Sequence, residues 1–419
     1  MHPIDEMLKL SLEGENDLAW EISERLEKEG PLKILDPYGN NTNDIWLRHC
    51  FNRGWHLVQQ GKFQEGFRLL ESGRFLNTYG GGLLKTEKPI FNPDTHKTEG
   101  KSIILSLEGG YGDEIIHARF APYLKERFGF DHVYIACTPE ISPLFERIPG
   151  VTKTINRLEA HTVKHDYWVP GFSAGWICGF EYDTLPNTPY ITPNLASVEL
   201  WNSLIQSEKL KVGIRWAGNP EFEHQQFRLF NANFLIKMAE AFPNVQFYSF
   251  QRDNNLEKLP NNVVDLQHLI ISWEDTAAAL THMDLVISSC TSIAHLSAAM
   301  GKKTWVVTPI LPYHTWARGA PGKPGQRGSN TSPWYQSIKV YRQIYKGIWQ
   351  PTFEEIYQDF EKEYSCTRQI TFPVMDEKIK KLNLGSGLSK IDGYINLDIS
   401  PIGEPDVLHD ITTVSYTHL

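Results

Sequence analysis

The chain has 419 residues, 41% of them hydrophobic and 22% charged, enough for ordinary buried cores and for two or three domains. Its 41 basic and 50 acidic residues leave a net charge of −9, which argues against a general nucleic-acid binder. No run of about 18 apolar residues occurs, and the acidic start MHPIDEMLKLSLEGEND lacks a signal-peptide core, so a cytoplasmic protein without a membrane span is expected.

Residues 1–80 read as helical. Leu8, Leu12, Leu18, Ile22 and Leu26 suit amphipathic helices broken at Gly30–Pro31. The stretch NRGWHLVQQGKFQEGFRLLESGR reads as two helices meeting at Gly61–Lys62, with Leu57, Phe63, Gly66 and Leu70 in packing positions. It resembles one tetratricopeptide repeat. No second copy is visible, and a lone repeat serves better as a cap on the next domain than as a peptide-binding solenoid.

After a Gly/Pro/Lys linker the pattern changes at Lys101. SIILSLEGGYGDEIIHARF reads as strand, glycine turn and helix; HVYIACT is the next strand, SPLFERI a helix, and KHDYWVPG a further strand. A second α/β series begins near Lys211 with KVGIRWAG and continues through VQFYSFQ, DTAAALTHM and LVISSCTSIAHLSAAMGKKTWVV to SIKVYRQ and a closing helix. Such alternation predicts parallel sheets covered by helices, in two halves at 101–200 and 205–365. Residues 380–419 then give another strand, glycine turn and strand.

Three segments can carry chemistry. In Gly109–Gly110–Tyr111–Gly112–Asp113 the glycines let backbone approach a ligand, and Asp113 stands at a helix start, His117 one turn on. A carboxylate there can be a general base or simply a helix cap. Arg215 ends a strand and Arg228 follows in the next loop; arginine suits bidentate binding of a diphosphate. Cys290, Thr291 and Ser292 open a helix bearing His295, and free amides at a helix start hold phosphate as well as they accept a cap. The five cysteines contain no C-x-x-C pair, and no D-x-D pair occurs, so no structural zinc site or diphosphate-bound cation is expected.

The ordered set GKSIILSLEGGYGDEIIHARF, KVGIRWAGNP, FYSFQ, DTAAALTHMDLVISSCTSIAHLSAAMGKKTWVV and SPWYQSIKVYRQ, behind the repeat-like helices, resembles the bacterial tetratricopeptide-repeat glycosyltransferases. These are related to the heptosyltransferases and, more distantly, to the O-linked N-acetylglucosamine transferases. The resemblance covers roughly residues 45 to 350. It implies a GT-B-like pair of Rossmann-type α/β domains and metal-independent, inverting transfer from a nucleotide-diphosphate sugar to a glycan, lipid-linked or protein acceptor. It makes Asp113 the base and Thr291, Ser292 and His295 the donor-phosphate contacts; Gly110, Gly112, Arg215, Arg228 and Cys290 complete the expected donor site on their own chemistry and position. The chain departs from the family at Cys290, where Asp is usual; a thiol cannot make the same hydrogen bonds.

The tail, KLNLGSGLSKIDGYINLDIS, resembles the start of a class I S-adenosylmethionine methyltransferase, which implies an incomplete cofactor site at Gly385, Gly387 and Asp398. About 40 residues cannot bury a core of their own, so no methyltransferase activity is expected from them. Two other readings compete with the enzyme: a non-catalytic sugar-nucleotide or glycan binding protein of the same fold, and a scaffold acting through protein contacts of its N-terminal helices.

Overall fold

The computed structural model describes residues 2–29, 42–81, 83–218, 228–252 and 259–365, with backbone alone for 382–384, 395–398 and 407–408. The break read at Gly30–Pro31 lies outside these residues. Among the described residues, no helix is long and apolar enough to cross a membrane.

The chain opens with helices Pro3–Glu13 and Asn16–Glu29. The first starts on Pro3 with His2 accepting the Ile4 N–H, and it stops at Gly14, whose φ of +83° is left-handed. Ile4, Met7, Ala19, Ile22 and Leu26 form the small core between the two. Next come Thr42–Gln59 and Phe63–Leu70, a helical hairpin packed glycine to glycine. A Cβ on Gly54 would lie 2.9 Å from the Gly66 carbonyl oxygen, and one on Gly66 would lie 2.9 Å from the Val58 nitrogen. Only glycine allows the two backbones this approach.

Two parallel sheets follow. The first contains β1 (Ser102–Ser106), β2 (His132–Cys137), β3 (Lys153–Asn156) and β4 (Tyr167–Pro170), in the order β3-β2-β1-β4. The second contains β5 (Lys211–Arg215), β6 (Gln246–Ser249), β7 (Val263–Asp265), β8 (Leu285–Ser289), β9 (Thr304–Thr308) and β10 (Ile338–Arg342), in the order β10-β9-β8-β5-β6-β7. Every residue of β1, β8 and β9 is buried, as expected for parallel strands covered on both faces. The architecture is thus mixed α/β, with Rossmann-type parallel sheets behind a helical region.

One apolar core runs without interruption from Phe63, Phe67 and Leu70 of the hairpin, through β1 and β2, to Ile293, Leu296 and Trp334 beside the second sheet. A second core covers the other face of the six-stranded sheet under helices Asn233–Ala241 and Gln350–Tyr364. The seam between the sheets is tied by Arg119, which donates to the Pro186 carbonyl at 2.7 Å and to that of Trp334, and lies over the rings of Tyr190, Trp334 and Tyr335.

The helical region spans both sheets. Toward the first, Gln64 donates to the Phe180 carbonyl at 2.7 Å, and Arg74 pairs with Glu71 and Glu108. Toward the second, Asn16 donates to the Pro321 carbonyl, the Gly319 N–H donates to the Gln59 carbonyl, and Lys346 pairs with Glu13. In the tail, β11 (Leu382–Leu384), β12 (Ile395–Asp398) and β13 (Val407–Leu408) form a three-stranded parallel sheet. Gly385 and Gly387 lie outside the described residues, as does the Asp398 side chain.

Candidate functional site

In parallel α/β sheets ligands bind beyond the carboxyl ends of strands, where successive connections leave in opposite directions. In the first sheet that point lies between β1 and β4, and the loop from β1 carries Gly109 to Asp113. In the second it lies between β5 and β8, whose loops carry Arg215 to Gly218 and Cys290 to Ser292. The fold brings these two points together. A Cβ on Gly112, in helix Tyr111–Ala118, would be 3.2 Å from His295 Cδ2 and 3.5 Å from Ser292 Cα, in helix Ser292–Ala299. The two helix starts therefore touch, and Gly112 is where they touch.

Asp113 is half-buried at this junction. One carboxylate oxygen accepts the Gly110 N–H at 2.9 Å, which caps the turn; the other accepts the Tyr313 hydroxyl at 2.6 Å. Burial pushes the carboxyl above the usual range, against the pull of those two hydrogen bonds and of the Arg228 charge. Burial, followed by the Asp113 charge, raises the Tyr313 phenol well above its ordinary value, so it stays a donor. Tyr313 also meets Trp55 edge-on, at 6.1 Å between ring centroids.

Arg228 is half-buried and donates to the Cys290 carbonyl at 3.3 Å. A Cβ on Gly218 would lie 2.7 Å from Arg228 Nη2 and 3.1 Å from Thr291 Cγ2, so this loop lets the guanidinium lie against the helix start. Cys290 and Thr291 are buried while Ser292 is half-exposed. Burial raises the Cys290 thiol and keeps it neutral. His295 is buried, stacked on Trp316 at 4.9 Å and 3.2 Å from the Tyr335 hydroxyl. Burial, helped by Arg119, His117 and Arg228, lowers its pKa to about 3, so at neutral pH the ring carries no charge.

Of the residues singled out in the sequence, the structure gathers Gly110, Gly112, Asp113, Arg228, Cys290, Thr291, Ser292 and His295 at this junction. It does not bring the Arg215 guanidinium there in the same way. Only 9% exposed, Arg215 donates to the carbonyls of Ala217 at 3.0 Å and Phe250 at 2.7 Å, which fixes the loop carrying Gly218. His117 shares its helix with Asp113, but its ring meets the Asp113 backbone carbonyl at 2.8 Å and not the carboxylate.

Two contributors escaped the sequence reading. Tyr313 comes from the loop after β9, 200 residues from Asp113, with no local pattern to mark it. Glu108 lies two residues past the end of β1 at 1% exposure; it takes a bidentate contact from Arg74 and accepts the N–H groups of Gly81 and Phe172. The buried acid sits just ahead of the glycine turn, so it fixes where that turn begins.

No family model matches the chain. It is similar to Protein FlbA of Caulobacter vibrioides, at 25% identity over 337 residues, covering 73% of this chain and 54% of that protein. The chain thus spans about half the length of the curated relative it matches. Among solved structures it is similar to the glycosyl transferase family 9 protein of Veillonella parvula, with TM-score 0.45 and 10% identity, covering 64% of this chain and 90% of that one. It is also similar to the ADP-heptose heptosyltransferase II of E. coli, with TM-score 0.43 and 11% identity, covering 63% and 97%. These are likenesses of overall form, and the roles of individual residues rest on the geometry above.

Proposed function

We propose that the chain is a glycosyltransferase, moving a sugar from a nucleotide-diphosphate donor to an acceptor hydroxyl with Asp113 as general base. The observation that carries this reading is the meeting of Asp113, held by Tyr313, with the Ser292 helix start and Arg228. An acid from one sheet faces an anion-suited helix end and a cation from the other. Each carboxylate oxygen keeps a further lone pair with which to accept the hydroxyl proton. A carboxyl raised by burial is a stronger base than a free one when it is ionised.

On this reading the acceptor oxygen attacks the anomeric carbon, its proton passes to Asp113, and the diphosphate leaves with the electrons of the broken bond. Arg228 and the Ser292 amide stabilise the growing charge, an electrostatic contribution of several kcal/mol. Arg215 acts at one remove, by fixing the Gly218 loop. The ordered motif set supports inverting, metal-independent chemistry. On this reading donor identity turns on Cys290, where a neutral thiol replaces the family's carboxylate.

The test pairs donor binding with turnover. A thermal-shift screen of nucleotide-diphosphate sugars should find a donor that raises the midpoint. Asp113→Asn should keep that shift and lower transfer by roughly 10²- to 10⁴-fold. Unchanged transfer in that variant removes Asp113 as base. If donors bind normally and neither parent nor variant turns them over, the non-catalytic sugar-nucleotide binder is the better account.

A further inference from the structure

A cavity of about 470 Å³ lies beyond the carboxyl ends of β9 and β10, outside the Asp113–Ser292 junction. Its walls include Phe230, Phe234, Ile310, Leu311, Gln343 and Trp349, and Leu12 of the first helix closes one side. The volume suits one small molecule, and the mostly apolar wall is typical of a ligand site. Phe230 and Trp349 meet edge to face at 5.6 Å and form one continuous aromatic wall of the cavity. Leu229 at the rim is 38% exposed.

The second observation concerns Gln343. It is 3% exposed and pinned by its backbone, whose N–H donates to the Thr308 carbonyl. Its side-chain oxygen accepts the Ile310 N–H at 3.4 Å, but its buried Nε2 has no hydrogen-bond partner among the described residues. A buried amide donor without an acceptor is costly, so an oxygen brought to it is favoured. Among the described residues, no carboxylate lines the cavity, and Lys346 stands at its mouth in a surface pair with Glu13, of the kind that re-forms at little cost.

We propose that this cavity is a second ligand site, for a small aromatic molecule bearing an anionic oxygen group, an aryl carboxylate or aryl sulfonate. The ring lies against the wall formed by Phe230 and Trp349, and an oxygen takes the Gln343 Nε2–H. Arg228–Leu229 and Leu311–Tyr313 join this site to the junction along the chain, so an occupant can bear on Asp113 without touching the donor. The site stands apart from the glycosyltransferase reading and is tested without measuring transfer.

The full-length chain is titrated with 8-anilinonaphthalene-1-sulfonate, followed by its emission. One saturable site per chain is expected. Gln343→Met keeps the volume but removes the donor, and should weaken binding by roughly three- to tenfold. Leu229→Trp fills the cavity from its exposed rim and should abolish the signal. ADP and UDP should leave the probe bound. The proposal is overturned if the parent shows no saturable binding, if both variants bind like the parent, or if either nucleotide displaces the probe.

Discussion

At Asp113 burial and hydrogen bonding pull the carboxyl in opposite directions, and Tyr313 is the part of that balance a single atom can remove. Tyr313→Phe keeps the ring on Trp55 but deletes the hydroxyl, so the Asp113 pKa should rise further. If Asp113 is the base, the acid limb of the pH–rate profile then moves to higher pH and turnover at neutral pH falls roughly three- to tenfold. A parallel drop at every pH would instead mean that Tyr313 acts only on structure. The buried histidines set a second pH dependence. His117 and His295 sit near pKa 3 in the fold against 6.5 when unfolded, so the unfolded chain takes up their protons first. Stability is full above pH 6.5 and is lost as pH falls toward 3, about 1.4 kcal/mol for each ring by pH 5.5. Glu114, raised to about 7 chiefly by burial, works the other way between pH 7 and 4.5, but it is one group against several. Urea midpoints at pH 7.5 and 5.5 should show the net loss, and it should shrink in His117→Asn.

The loops and helix ends carry the site, and they differ in how far the sequence exposes them. The glycine turn before Asp113 and the hydroxyl-rich start after β8 are visible because each is local: strand, small residues, then helical periodicity within a dozen positions. Arg215 was legible as an arginine at a strand end, but not where its guanidinium goes; that depends on the Phe250 carbonyl at the end of a different strand. Tyr313 and Glu108 were hidden for the same reason, since their partners come from remote parts of the chain. The Glu108 cluster tests this element directly. Arg74→Met leaves a carboxylate at 1% exposure without its cation and should cost about 3–5 kcal/mol in urea unfolding. Arg74→Lys should recover only part, since an ammonium cannot make the paired contact with Glu108. In the hairpin, Gly66→Ala forces a Cβ against the Val58 backbone and should cost about 1–3 kcal/mol by the same measurement.

For the whole molecule, the continuous core from the hairpin to Trp334 predicts that helices and sheets unfold together. Calorimetry should give one transition, coincident with loss of tryptophan fluorescence. An early, separate melting of the N-terminal helices would show that their contacts to Pro321, Phe180 and Glu108 do not couple them to the sheets. The tail strands are a different case: their parallel pairing is plain, yet the residues proposed to approach a cofactor lie outside the described chain.

The helices that reach both sheets have a kinetic consequence. They act as a strut, so the contact between the Gly112 and Ser292 helix starts is set when the chain folds. If the proposed function holds, a donor meets a preformed site and does not wait for a gate to swing. Rapid-mixing traces of donor binding should be single exponentials, with a rate that climbs linearly with concentration and never levels off.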